Sequence, residues 1–191
     1  MSIKHLGKNL SSLAKTLAFC VAGLAFAAQA GEKQISSGQK LVFMGDSITD
    51  YGWSRSHGYP NLVLKGLAAN GISLEKNVTA FGVGVAGEKS GDMLERFDAD
   101  VVAKDPDVVT ISAGVNDILF NTTYDAFYQN MLSMVSKAKG AGAKVILLSP
   151  TAVGYSEVTT DTLSQFVGGV REIAAAQGCA YAPVYEMFRD H

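Results

Sequence analysis

The stretch Lys40-Leu-Val-Phe-Met-Gly-Asp-Ser47 decides the fold, because a short apolar run stops abruptly at Gly-Asp-Ser. A continuous apolar run of this kind is typical of a strand buried on both faces, and it predicts a strand over 40–44. Residues 59–69 then carry apolar side chains at helical spacing before a glycine at 71, which predicts a helix. The stretch therefore begins a strand–helix unit.

The same alternation continues along the chain. Further strands are predicted over 77–83, 107–112, 144–148 and 179–184, and further helices over 92–103, 124–141 and 161–177. Strands separated by helices imply right-handed crossovers, which place helices on both faces of a parallel sheet. The sequence therefore predicts an α/β fold with a three-layer α/β/α sandwich.

The first thirty residues predict a separate segment. Three lysines precede an apolar stretch over 17–28, and Ala28-Gln-Ala30 offers small residues where a signal peptidase reads them. The apolar stretch has about twelve residues and a bilayer-spanning helix needs about twenty, which disfavours a retained anchor. We expect a signal peptide over 1–30, a domain over 31–191, and a secreted or periplasmic protein without a stable membrane anchor after cleavage.

Composition and charge exclude several classes of protein. With 48% hydrophobic and 18% charged residues, the chain is too apolar for intrinsic disorder. The formal net charge is −2 and no run of five like charges occurs, so nucleic acid is not an expected partner. Beyond residue 30, Cys179 has no second cysteine with which to form an intrachain disulfide. No His or Cys cluster has ligand spacing, so neither a metal nor an organic cofactor is expected.

Functional groups follow the first three predicted strands. Ser47 follows the first, Gly87 closes the block Gly82-Val-Gly84-Val-Ala-Gly87 after the second, and Asn116 lies in Gly114-Val-Asn-Asp117 after the third. In parallel sheets such ends meet at one edge, and ligands bind where the strand order reverses. A serine hydroxyl, a backbone N–H and a side-chain amide at one point have the chemistry of acyl transfer, with a nucleophile and donors for an oxyanion.

Each block has another interpretation when it is taken alone. Serine and aspartate are ordinary N-caps, and Gly, Asn and Asp all favour turns. The glycine block also spells G-x-G-x-x-G, the fingerprint of a Rossmann-type nucleotide-binding protein. That fingerprint needs an acidic residue at the end of the next strand, whereas Asp105 and Asp107 lie before the third strand. Nucleotide binding is therefore a third hypothesis, behind the two functions considered below.

In order and spacing, the three blocks resemble the motifs of the SGNH hydrolases, also called GDSL esterases and lipases. The first block reads Gly45-Asp-Ser47 with Ile48 in place of leucine, the second Gly84-Val-Ala-Gly87, and the third Gly114-Val-Asn-Asp117. The resemblance implies a flavodoxin-like sandwich, which agrees with the strand pattern. The activity it implies is hydrolysis of carboxylic esters.

The resemblance also implies a role for each residue of the blocks. Ser47 is the implied nucleophile and first oxyanion donor, Gly87 the second donor and Asn116 the third. Asp46 and Asp117 support them within the same blocks. The implied base is a histidine in a late Asp-x-x-His block.

The chain departs from that pattern near residue 191. It reads Arg189-Asp-His191, so aspartate and histidine are adjacent and their spacing does not match the block. The remaining histidine beyond the leader, His57, follows Ser47 by ten residues in a loop-like segment. His191 and His57 are both weak candidates for the base. We expect a sequence truncated before the catalytic histidine, with neither candidate within hydrogen-bond reach of Ser47.

These observations lead to two functional hypotheses. The first is a secreted serine esterase that acts, without a cofactor, on an acetylated carbohydrate or a small soluble ester. Tyr51, Trp53 and Tyr59 follow the nucleophile closely and are candidates for the wall of an acyl or sugar pocket, although core packing explains them equally well. The second hypothesis is a catalytically inactive SGNH domain that serves as a binding module.

Overall fold

The structure is a computed structural model that describes residues 34–73, 78–151 and 160–189. The predicted signal peptide over 1–30 lies outside the described residues, and so do Asp190 and His191. The expectations that concern them remain predictions.

Strands and helices alternate along the described residues. The strands are β1 (Lys40–Gly45), β2 (Thr79–Gly84), β3 (Val108–Ser112), β4 (Lys144–Leu148) and β5 (Ala180–Ala182). The helices are α1 (Ser47–Trp53), α2 (Tyr59–Ala69), α3 (Ser90–Asp100), α4 (Val115–Leu119), α5 (Tyr124–Gly140), α6 (Thr160–Gln177) and α7 (Val184–Arg189), with a 3-10 turn (Val102–Lys104) after α3. Within 34–73, 78–151 and 160–189, no helix combines the length and apolar character that a membrane crossing requires.

The five strands form one parallel sheet in the order β2-β1-β3-β4-β5. This is the flavodoxin-like order, in which the direction of strand addition reverses between β1 and β3. Gly45 at the end of β1 is in register with Gly84 of β2 on one side and Ser112 of β3 on the other. The predicted α/β class and parallel sandwich are confirmed, and the three strands end at the same level.

Alternate side chains of β1 contribute to two hydrophobic cores, one on each face of the sheet. Val42 and Met44 pack in a core with residues of α3, α5 and α6. Leu41 and Phe43 pack on the opposite face with Leu64 of α2 and with aromatic side chains at the end of α1 and the start of α2. A strand whose two faces are both covered must be apolar throughout, which explains the uninterrupted run that identified β1 in the sequence.

Some elements have the bounds that the sequence predicted, and others differ. Helix α2 and strand β4 have the predicted bounds, and α5 buries the four side chains expected on its apolar face, Phe127, Met131, Met134 and Val135. The strand predicted over 179–184 is too long, because β5 ends at Ala182 and α7 begins two residues later. Helices α1 and α4 were not predicted, because the segments at which they begin, Gly45-Asp-Ser47 and Gly114-Val-Asn-Asp117, have the composition of turns.

Backbone packs directly on backbone at the ends of β1 and β2. A Cβ atom on Gly84 would lie 2.3 Å from the Asp50 nitrogen and 2.7 Å from the Asp46 oxygen. A Cβ atom on Gly45 would lie 2.1 Å from the Thr49 hydroxyl oxygen. Helix α1 can therefore cross the strand ends only because these two positions carry no side chain.

We expect Gly84→Ala to destabilise the protein by about 1–3 kcal/mol, the usual cost of forcing an extra carbon into a filled space. The matched control is Gly66→Ala, inside α2, where a Cβ atom would meet nothing within 4 Å. Alanine is the better helix former, so that variant should be more stable than wild type by about 1 kcal/mol. Urea unfolding measures both, and a Gly84→Ala protein as stable as wild type would contradict the close packing.

Candidate active site

The ends of β1, β2 and β3 place the three predicted site residues at one edge of the sheet. Ser47 begins α1 directly after β1, Gly87 lies three residues beyond the end of β2, and Asn116 is in the first turn of α4 after β3. Because β1 lies between β2 and β3 and their last residues are in register, the three segments are neighbours. This edge is the switch point, where ligands bind in open α/β sheets.

Asp46 holds the tight turn that presents Ser47. Its carboxylate accepts a hydrogen bond from the Ile48 N–H at 2.9 Å, and its backbone carbonyl accepts from the Thr49 and Asp50 N–H groups at 3.1 and 3.0 Å. Ser47 is half-buried at the start of α1, in the turn whose N–H groups have no acceptor within a helix. The sequence predicted Asp46 as a supporting residue, and its contacts are those of an N-cap.

The Asp46 carboxyl is buried, and this burial raises its pKa above the ordinary value of 3.8. The hydrogen bond from Ile48 opposes that shift, and the nearby charge of Asp117 adds to it. The turn beneath the serine therefore carries a carboxyl that favours its protonated form more than a solvent-exposed aspartate does.

Gly87 lies in the loop between β2 and α3. Its φ is +83°, a left-handed conformation that favours glycine, whereas a Cβ atom there would meet nothing within 4 Å. The loop leaves the sheet through a hydrogen bond from the Val85 N–H to the Gly45 carbonyl at 3.1 Å. Glycine is therefore favoured at the two positions for different reasons: at Gly84 there is no space for a side chain, and at Gly87 the backbone has a left-handed conformation.

Asn116 connects its own segment to the glycine loop. Its side-chain Nδ2 donates a hydrogen bond to the backbone carbonyl of Glu88 at 2.8 Å, one residue beyond Gly87. An asparagine amide has two N–H donors, so this bond fixes the orientation of the amide while a second N–H remains for another acceptor. The Asn116 amide and the Gly87 backbone are therefore held side by side.

A buried polar network beneath Asn116 fastens α3 to α4. The Asp117 carboxylate accepts hydrogen bonds from the Ser90 N–H at 3.0 Å and the Ser90 hydroxyl at 2.6 Å. The Ser90 hydroxyl in turn accepts from the Asn130 amide at 3.0 Å. Sequence reasoning predicted Asp117 as supporting but missed Ser90 and Asn130, which are ordinary polar residues of helices and have no local signal.

The three aromatic residues that follow Ser47 differ in exposure. Trp53 and Tyr59 are partly buried and pack against the core, with ring centroids each 6.1 Å from the Phe43 ring, which agrees with the core-packing alternative. Burial raises the pKa of Tyr59 to about 12. Tyr51 is 53% exposed and lies one helical turn after Ser47, so it is the most exposed of the three.

Neither histidine candidate is placed at the site by the structure. His57 is exposed on the segment between α1 and α2. His191 lies outside the described residues. The base therefore has no assigned residue within 34–73, 78–151 and 160–189.

The acidic residues considered for nucleotide binding lie at the opposite end of the sheet. The Asp107 carboxylate accepts from the Lys40 N–H at 2.7 Å, and Asp105 pairs with the Lys40 ammonium at 2.8 Å. Lys40 begins β1, so these carboxylates face away from the edge that carries the glycine block. Their placement favours the hydrolase interpretation of that block over the dinucleotide one.

Comparison with known proteins identifies a family. Residues 43–191 match the model of the GDSL-like lipase/acylhydrolase family. An acetylxylan esterase of Geobacillus stearothermophilus is 27% identical over 82% of this chain and 81% of its own length. The esterase TesA of Pseudomonas aeruginosa is 30% identical over 80% of this chain and 73% of its own.

Solved structures of esterases share the fold. The acetylxylan esterase Axe2 of Geobacillus stearothermophilus superimposes with a TM-score of 0.72 at 27% identity, covering 83% of this chain and 81% of that one. The acetyl xylan esterase AlAXEase gives a TM-score of 0.68 at 28% identity, covering 78% and 79%. Catalytic mutants of Axe2 have been solved in which a serine or a histidine is replaced by alanine.

Because Asp46 caps α1 with a buried carboxyl, the variant Asp46→Asn separates the effect of the cap from the effect of the charge. Asp46→Asn keeps an oxygen for the Ile48 N–H without a buried charge, whereas Asp46→Ala loses the cap and about 1 kcal/mol. A raised carboxyl pKa means that the folded state binds the proton more tightly. Wild type therefore loses stability as pH rises from 3.8 to the folded-state value, and Asp46→Asn lacks that loss.

We expect Asp46→Asn to be at least as stable as wild type at pH 7 and to lose this advantage towards pH 4. Urea unfolding of the three proteins across this pH range measures the effect. An asparagine variant as unstable at pH 7 as the alanine variant would contradict both the cap and the burial effect.

Proposed function

The chain belongs to the GDSL-like lipase/acylhydrolase family of SGNH hydrolases and is an ester-hydrolysing enzyme, and from this premise we propose that Ser47 is its nucleophile. Gly87 and Asn116 complete an oxyanion hole with the Ser47 N–H. The observation that carries this proposal is the hydrogen bond from the Asn116 amide to the Glu88 carbonyl, which orients a side-chain donor beside Gly87 at the edge where Ser47 begins α1.

The chemistry proceeds in two halves. The Ser47 Oγ attacks the ester carbonyl carbon, and the carbonyl oxygen becomes an oxyanion that accepts hydrogen bonds from the Ser47 and Gly87 N–H groups and the Asn116 amide. Collapse of this intermediate leaves an acyl-serine and releases the alcohol, which takes up the proton that a base removed from Ser47. Water then gives a proton to the same base as it attacks the acyl carbon, the same donors stabilise the second oxyanion, and the base returns the proton to Ser47 as the acid is released.

Ser47 needs a base to take its proton at neutral pH. Among the described residues the one histidine is His57, which is exposed on the segment between α1 and α2. We therefore place the base on a histidine outside the described residues, as the family pattern implies. The Axe2 catalytic mutants at a serine and a histidine support this pairing of nucleophile and base.

An acetylated carbohydrate is the substrate class that we favour. Acetylxylan esterases occur both among the curated relatives and among the solved structures that resemble this chain. The leader-like segment over 1–30 supports export, and an exported enzyme meets polysaccharide esters outside the cell or in the periplasm. A small soluble ester is the second choice.

Labelling by a fluorophosphonate probe tests the nucleophile. We expect the probe to modify Ser47 in the wild-type protein and not in Ser47→Ala. Peptide mass spectrometry identifies the labelled residue, and hydrolysis of p-nitrophenyl acetate measures turnover. In the same assay, on a chain that includes the catalytic histidine, Asn116→Ala should lower kcat by about 10²–10³, the usual cost of one oxyanion donor, with a much smaller change in KM.

The matched control is His57→Ala, which should leave labelling and kcat unchanged. Loss of activity in His57→Ala would point to a rearranged triad, and unchanged kcat in Asn116→Ala would remove Asn116 from the mechanism. Binding of an acetylated xylo-oligosaccharide with neither labelling nor turnover would support the inactive binding module instead.

Tyr51 provides a test of the substrate class. Ser47 and Tyr51 are four residues apart in α1 and therefore share a helix face. The Arg55 guanidinium lies over the Tyr51 ring, 5.0 Å from its centroid, and donates to the Tyr51 carbonyl at 3.2 Å, which restrains the ring. An exposed, restrained aromatic ring beside the nucleophile suits stacking against a sugar.

We expect Tyr51→Ala to raise KM for an acetylated xylo-oligosaccharide by about 3- to 10-fold, the equivalent of about 0.7–1.4 kcal/mol of stacking. KM for p-nitrophenyl acetate, which carries no sugar, should change little. Tyr51→Phe keeps the ring and should behave like wild type with both substrates. An equal rise in KM for the two substrates would mean that Tyr51 contacts the acyl group or supports folding instead of binding the sugar.

A further inference from the structure

The loop that carries Gly87 is held by an ion pair outside the proposed oxyanion hole. The Glu88 carbonyl accepts the hydrogen bond from Asn116, and the Glu88 side chain is bound by Arg96 of α3. The Arg96 Nε lies 2.9 and 2.8 Å from the two Glu88 carboxylate oxygens, and a terminal nitrogen lies 2.7 Å from one of them. Glu88 therefore accepts a hydrogen bond from Asn116, the proposed third donor, through its main chain and binds the Arg96 guanidinium through its side chain.

Arg96 is itself fixed from two further directions. One terminal nitrogen donates to the Asp100 carboxylate at 2.8 Å, and the other lies 3.4 Å from the Gly45 carbonyl. That carbonyl also accepts from the Val85 N–H, where the glycine loop leaves the sheet. Arg96 thus connects the middle of the loop, the end of β1 and helix α3.

This ion pair differs in burial from an ordinary surface pair. The side chains of Arg96 and Glu88 are 17% and 16% exposed, whereas those of the neighbouring pair Lys137 and Asp98 are 38% and 66% exposed. Burial lowers the pKa of Arg96, but the hydrogen bonds and charges of Glu88 and Asp100 raise it more, so the guanidinium stays ionised. A pair this well shielded from solvent holds its geometry against screening by salt.

We propose that Arg96 is a positioning residue for the oxyanion hole, which it holds in place by fixing Glu88 and, through the Glu88 main chain, the Gly87 N–H and the Asn116 amide. The inference rests on the proposed function, because it assigns to Arg96 the alignment of donors whose catalytic role is itself proposed. It does not make Arg96 a catalytic residue, since none of its contacts is with Ser47.

Positioning of the loop requires the geometry of an arginine side chain at position 96 and not a positive charge alone. A guanidinium presents several donors in a fixed plane and can bind one carboxylate with two nitrogens while serving other acceptors. A lysine ammonium is a single point on a flexible stem. Arg96→Lys should therefore keep much of the electrostatic attraction to Glu88 and lose the alignment of the loop.

Kinetics on a set of variants tests the proposal. In a chain that includes the catalytic histidine, we expect Arg96→Lys and Arg96→Met to lower kcat for p-nitrophenyl acetate by about tenfold or more with little change in KM, because an oxyanion donor acts in the transition state. In an Asn116→Ala background, the same Arg96 substitutions should cost less, since one of the two donors that they misplace is already gone. The control Lys137→Met breaks an exposed pair on the same helix layer and should leave kcat unchanged.

A structural readout accompanies the kinetics, so that folding and function are separated. In a ¹⁵N-labelled sample, one Asn116 side-chain N–H should be protected from solvent exchange by its bond to Glu88, and Arg96→Met should remove that protection while the signals of α5 and α6 keep their positions. Thermal unfolding monitors overall stability. A merely structural role would lower Tm and the fraction of active protein without a selective effect on the Asn116 amide.

Three results would overturn the assignment of Arg96. The first is an unchanged kcat in Arg96→Met. The second is a double variant whose fold-loss in kcat equals the product of the losses in Arg96→Met and Asn116→Ala. The third is an Asn116 amide that keeps its protection from solvent exchange in Arg96→Met. Failure of the proposed function looks different: a chain that includes the catalytic histidine would hydrolyse no faster than its Ser47→Ala variant, while loss of Asn116 protection in Arg96→Met would still show that Arg96 holds this segment.

Discussion

Close backbone packing at the ends of β1 and β2 is the constraint on which the site depends. Helix α1 begins two residues after the end of β1 and passes over the end of β2, where a side chain on Gly84 would strike the α1 backbone. With glycine at positions 45 and 84, the helix can start directly at the sheet edge, and Ser47 lies at that start. The register of β1 with β2 and β3 then brings the other two segments to the same level.

The loops at this edge are held by a hydrogen-bond network on one side and by an ion pair on the other. On one side, the Asp117 carboxylate accepts two hydrogen bonds from Ser90 and joins α4 to α3. On the other, the Arg96–Glu88 pair joins α3 to the glycine loop. Donors that are held before substrate arrives need no reorganisation as charge develops, and electrostatic catalysis depends on that property. Helix α3 therefore supports both of the proposed oxyanion donors that lie outside the Ser47 turn, Gly87 and Asn116.

Much of the fold and part of the site could be predicted from sequence. The features that were predicted depend on residues close together in the chain, and those that were missed depend on residues far apart. Strands such as β1 and β3 are apolar because both faces of the sheet are covered, and that pattern is local. Ser47, Gly87 and Asn116 could be singled out because each follows a strand closely. The bonds from Ser90 to Asp117 and from Asn130 to Ser90 join residues 27 and 40 positions apart, and nothing local marks them. Likewise Trp53 became a core residue because a Cβ-free position at Gly82 receives its ring, a contact that only the folded sheet creates.

The strand order has a consequence for synthesis on the ribosome. β1 is central in the sheet, yet the residue at its start hydrogen-bonds beside β3 to a partner 67 positions later in the chain. As the nascent chain emerges, β1 can pair with β2 first, and the backbone N–H and C=O groups of its second edge stay unpaired until β3 has left the exit tunnel. Such an unpaired edge is what chaperones bind and what aggregating chains share. The central position of β1 thus makes translation between β2 and β3 the interval in which the growing chain most needs protection.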